Sequence, residues 1–149
     1  MPPPRSEPTV PLFVYGSLLS PQVRRIVVGN HPPAAIATLR GFRRVSLHGH
    51  TFPGLVPAAT VRTRGLLIDV SAAQLRRLDR YESDYYRRLP VTVSGADGAR
   101  RRAEVYVLSP AYRRLCRPAP WRPRAYEQRH AARGARSARA DLAAIRIRR

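Results

Sequence analysis

The sequence has no lysine: all 28 of its basic residues are arginine, set against 9 acids for a net charge of +19. Clustered cations of that number read as a nucleic-acid footprint, because they gain affinity for phosphates by releasing counterions. The missing lysine, with abundant alanine and proline, reads instead as the mark of a G+C-rich coding sequence, so nucleic acid is expected to bind only nonspecifically through charge. Cysteine is also nearly absent. The single Cys116 excludes an internal disulfide, and no second cysteine or paired histidine stands at metal-ligand spacing. Long apolar runs are missing too. Nothing approaches the roughly 20 apolar residues of a membrane span, and Met1 to Val10 is proline-rich without an apolar signal core. A soluble, cytoplasmic protein with no membrane partner is expected.

What is present is one domain's worth of chain, 149 residues. Residues 1–10 are expected to be a flexible tail, 11–117 the ordered domain, and 118–149 an Arg/Ala/Pro-rich tail with some helix. Leu12-Phe13-Val14-Tyr15, closed by Gly16 and Ser17, predicts a buried strand ending in a tight turn. Ser20-Pro21 starts a helix that stops at Gly29-Asn30. The segments 35–47 and 54–70 predict several short strands with bends at Gly41, Pro53 and Pro57. Ser71 with Gln74 three residues on predicts a capping box and a helix through Leu75 and Leu78 to Glu82. Leu89 to Val93 and Ala103 to Leu108 flank Gly95-Ala96-Asp97-Gly98 as a hairpin.

Two segments point to chemistry. A glycine directly after a buried strand lets the backbone turn with free N–H groups, and with the Ser17 hydroxyl these make a cradle for a carboxylate; the plainer reading is an ordinary turn. Glu82 follows Leu78 by four residues and Leu75 by seven, on one helical face. A carboxyl on the core side loses hydration, which raises its pKa towards neutrality. The alternative is a solvated partner of Arg80, Arg87 or Arg88.

Phe13-Val14-Tyr15-Gly16-Ser17-Leu18 and the run from Leu78-Asp79 through Glu82 to Tyr85-Tyr86-Arg87-Arg88 together resemble the γ-glutamylcyclotransferase superfamily, in its AIG2-like branch. The resemblance covers about Pro11 to Ser109, with Ser83 standing where the family has glycine. It implies an α+β fold, a small mixed β-barrel with flanking helices. It implies a small-molecule γ-glutamyl substrate, 5-oxoproline as product and no cofactor. Glu82 would be the catalytic carboxylate. Tyr15, Gly16, Ser17 and Leu18 would bind substrate, with Tyr106 and Tyr86, and Tyr112 ranked behind Tyr106. Ser83 matters if its position needs positive φ. His31, His48, His50 and His130 are given no catalytic or metal role, the pair at 48 and 50 being read as two exposed histidines on one strand face before a turn, and Cys116 is read as an idle thiol; no metal is expected. A non-catalytic binding protein of the same fold is the main alternative, and an arginine-rich nucleic-acid-associated protein the third.

Overall fold

The computed structural model describes residues 7–147. Strand β1 (Thr9–Val14) uses both faces, as its unbroken apolar run requires. Leu12 and Val14 join one buried cluster, while Phe13 and Tyr15 join another. The first cluster lies against the helices and the second fills the space between the strands.

The segments expected as several short strands are two long ones, β2 (Ala35–Leu47) and β3 (Gly54–Ser71), paired antiparallel. Gly41, at φ 95°, is absorbed as a bulge between Arg40 and Phe42 rather than ending the strand. Pro57 is tolerated because β3 there pairs only with β2; β1 joins its other edge from Leu66 to Ser71. Strands β4 (Tyr86–Gly95) and β5 (Arg100–Leu108) form the expected hairpin. The strand order β3-β1-β5-β4-β2 closes on itself through the β2–β3 ladder, with β1 and β5 the parallel neighbours. This is an α+β fold built on a small mixed barrel. A short β6 (Cys116–Arg117) extends the end of β2, and His48-Gly49 form a turn beyond it rather than a strand face.

Helix α1 (Pro21–Val27) has proline at its first position and the Ser20 hydroxyl accepting from the Val23 N–H. Helix α2 (Ala72–Glu82) opens on the capping box of Ser71 and Gln74. The Gln74 amide also donates to the carbonyls of Val28 and Asn30, which ties α2 to the end of α1.

The C-terminal segment differs from its expectation as a tail. Helices α3 (Pro123–Arg129) and α4 (Ala131–Ile147) bury Tyr126, Ala131, Ala135 and Ala138 in the cluster that holds Val23 and Val27 of α1, and Leu142 of α4 is buried as well. Alanine at i, i+4, i+7 gives a narrow stripe on which helices approach closely, so few apolar atoms suffice. Gly134 completes that stripe: a Cβ there would meet the Tyr126 hydroxyl at 2.2 Å. Of the N-terminal tail, residues 1–6 lie outside the described residues, while Thr9 and Val10 already pair in β1.

Candidate active site

Where β1 ends, the chain turns through Gly16 into one turn of 3-10 helix, Ser17–Leu19. Gly16 is required by space: a Cβ there would stand 2.9 Å from the Pro53 ring. The turn's carbonyls are taken. Arg44 donates to the Tyr15 carbonyl (3.0 Å), and Arg24 donates to those of Leu18 (3.0 Å) and Leu19 (3.2 Å). The N–H groups of Ser17 and Leu18 open the helical turn and have no partner within it.

This turn forms one wall of a pocket of about 220 Å³. Helix α2 contributes Tyr81 and Glu82 to its lining, and Tyr86 of β4 and Tyr106 of β5 also line it. The structure therefore brings together Tyr15, Gly16, Ser17, Leu18, Glu82, Tyr86 and Tyr106 around one cavity. Tyr112 is not among its walls; it stacks on Tyr85, which is, at a ring separation of 4.2 Å.

Glu82 is the last residue of α2 and is half-buried. It keeps some exposed area because the pocket is open, but packing around its carboxyl removes water and pushes its pKa up to about 8. The solvated-partner alternative falls to a different acid. Asp79, one turn earlier, takes Arg88 in a two-pronged contact, Nε–Oδ1 2.9 Å and Nη2–Oδ2 3.2 Å. Among the described residues Glu82 has no ion pair.

The tyrosines are fixed rather than free. Tyr15 donates its hydroxyl to the Tyr106 carbonyl, Tyr106 donates to Asp79 Oδ1 (2.7 Å), and Tyr86 donates to the Pro53 carbonyl (2.6 Å). Burial holds all three phenols above their ordinary pKa, with the Glu82 charge adding to the effect at each. For Tyr106 the hydrogen bond to Asp79 adds further. They remain neutral at physiological pH. Asp79 was missed as a positioning residue in the sequence; its signal is its place three residues before Glu82 on the same helix. Ser83 adopts φ 57°, ψ −155°, a conformation that glycine takes readily and serine does not.

A model of the family described as gamma-glutamyl cyclotransferase, AIG2-like, matches residues 12–128. The chain belongs to that family. Among curated relatives, AIG2-like protein D of Arabidopsis thaliana is 35% identical over 89 residues, 59% of this chain and 59% of its own length. AIG2-like protein A of the same plant is 33% identical over 93 residues, 62% and 56%. The chain thus spans less than two thirds of these relatives. A solution structure from Arabidopsis thaliana matches with TM-score 0.66 and 27% identity, over 93% of this chain and 85% of that one. A structure described as gamma-glutamyl cyclotransferase matches with TM-score 0.61 and 19% identity, over 87% and 80%, which is a likeness of fold. No helix among the described residues is long and apolar enough to cross a membrane.

Proposed function

We propose that this AIG2-like protein is a cytoplasmic γ-glutamylcyclotransferase-type enzyme, which releases 5-oxoproline and a free amine from a γ-glutamyl compound. The observation that carries the reading is a desolvated carboxyl, Glu82, lining one pocket with Ser17 and Leu18, whose N–H groups have no partner within their helical turn.

The chemistry follows from those two features. The substrate's α-carboxylate accepts from the N–H groups of the turn, which fixes the glutamyl chain and folds its α-amino group onto its own γ-carbonyl. Ionised Glu82 takes a proton from the α-ammonium. The freed amine attacks the γ-carbon, a C–N bond forms, and the carbonyl electrons move to oxygen. As they return, the original C–N bond breaks and Glu82 gives its proton to the departing amine; the carboxylate, ionised again, takes the second proton from the ring nitrogen, which becomes the lactam N–H, and passes it to the free amine, which leaves as an ammonium. One carboxylate serves as base and then as acid, and a pKa near 8 suits both steps. Atoms and charge balance without redox or an external nucleophile, so the reaction calls for no cofactor.

The test is to incubate the pure protein with a panel of γ-glutamyl dipeptides and γ-glutamyl amines and to measure 5-oxoproline by mass spectrometry, with Glu82→Gln as control. Formation by the wild type and its loss in the control are expected. Binding of these compounds with no 5-oxoproline from any of them would instead establish a non-catalytic binding protein.

A further inference from the structure

In a chain with 28 arginines, no arginine among the described residues lines the pocket. The charged residues that do are two acids, Glu82 of α2 and Asp141 of α4, and most of the remaining surface is aromatic, including Phe52, Tyr81 and Tyr85. Carboxylate and aromatic faces both attract cations, so the cavity's local chemistry opposes the sign of the molecule around it. Asp141 lies beyond residue 128, where the family match ends, and is the one acid in a helix otherwise charged by arginine.

Its place is fixed by packing. Its near neighbours on α4 are buried, Ala138 within the helical cluster and Leu142 one residue on, so α4 cannot rotate Asp141 away without exposing them. Asp141 itself is exposed, and among the described residues it makes no ion pair. Of the two lining acids Glu82 is half-buried and Asp141 exposed, so Asp141 stands on the solvent side, at the rim. Tyr81 stands within electrostatic reach of both, and each raises its phenol pKa, after burial.

We propose that Asp141 is a specificity-determining residue that selects γ-glutamyl conjugates whose departing amine carries a second positive charge, such as conjugates of an aliphatic diamine. The proposal rests on the cyclotransferase reading. With the glutamyl portion seated between the turn and Glu82, the departing group is the part that reaches the rim, where Asp141 meets it. An anionic departing group, such as an amino acid with a free carboxylate, meets repulsion at the same place.

The probes are the γ-glutamyl conjugates of butane-1,4-diamine and of butylamine, which differ in one terminal ammonium. The quantity read is the ratio of their kcat/KM values at low salt, in wild type, Asp141→Asn and Asp141→Arg. An exposed ion pair supports a modest effect, so the ratio is expected to fall about 3- to 5-fold in Asp141→Asn and further in Asp141→Arg. The wild-type preference is expected to shrink as salt rises. A ratio that stays constant while both conjugates lose activity equally would overturn the proposal, since Asp141 would then hold the shared α-ammonium. Binding of free butane-1,4-diamine against butylamine, followed by NMR, gives a second readout. If neither conjugate yields 5-oxoproline, the cyclotransferase reading fails, and the binding ratio alone decides: loss of a diamine preference in Asp141→Asn supports a cation site, and no preference in wild type overturns it.

Discussion

At the scale of single residues, Glu82 sets the pH behaviour of the molecule. Its carboxyl is raised to about 8 in the fold and returns to an ordinary value near 4.5 when the chain unfolds, so the folded state holds the proton more tightly. Stability from this group is full below about pH 4.5 and is lost as pH rises through about 8. Glu82→Gln removes the titration, and its urea midpoint is expected to vary less between pH 5 and pH 9 than that of the wild type. Activity moves the opposite way, because the base must be ionised: kcat/KM should rise with pH up to about 8, and Glu82→Gln should lower it by at least about 10²-fold. A Glu82→Gln protein that still forms 5-oxoproline at near wild-type rate would sink the mechanism. Ser83 next to it carries a different cost. Its left-handed backbone stores about 1–3 kcal/mol, against about 0.5–1 kcal/mol of extra unfolded-state entropy for glycine. Ser83→Gly is therefore expected to stabilise the protein by about 1 kcal/mol in chemical denaturation, and a loss of stability would show that the Ser83 side chain makes a contact worth more than its strain. The position was legible in the sequence as a departure from the family's glycine; the sign of φ was not, since that is set by how α2 hands over to β4.

The elements divide by how local their determinants are. The Ser71 capping box, the Ser20-Pro21 helix start and the Gly95 to Gly98 hairpin are each written within a few residues, and each stands in the structure where the sequence puts it. The pocket walls were legible for a related reason, because the strand-to-turn and the end of α2 each carry a compact motif. What the sequence hid depends on partners far along the chain. The length of β2 and β3 comes from their pairing with each other, which absorbs Gly41 and Pro57. Asp79 became visible as a positioning residue only when β4 brought Arg88 and β5 brought Tyr106 to it. Helix α4 looked too poor in apolar atoms to dock, and it docks because alanine suffices at close approach. Removing residues 124–149 is accordingly expected to be costly. It deletes the buried Tyr126 and Leu142, on the order of 5 kcal/mol at about 1.5–3 kcal/mol per large side chain, and uncovers Val23 and Val27 in addition. A truncated protein that melts cooperatively at the wild-type temperature would show that α4 contributes nothing to the core.

At the scale of the whole molecule, the charge and the pocket give opposite signals. A net +19 draws polyanions from a distance, yet the cavity where small molecules would react presents carboxylates and tyrosines. Two of the arginines nearest the site are occupied with structure: Arg24 and Arg44 hold backbone carbonyls of the turn, and Arg44 also lies 5.4 Å above the Trp121 ring. Among the described residues the others occur along the chain in strands, helices and turns, a spread from which a diffuse field is expected rather than a stripe that tracks a phosphate backbone. A diffuse field of this kind would bind nucleic acid by counterion release alone, with an affinity that falls steeply with salt and ignores sequence. Labelled duplexes of unrelated sequence should therefore bind alike at about 20 mM salt in fluorescence anisotropy and be released near 0.15–0.3 M, above which the Debye length is under about 8 Å. Binding to one sequence or structure that persists at 0.3 M salt would mean that the arginines form an ordered nucleic-acid surface, and would put the charge ahead of the pocket as the molecule's main interaction.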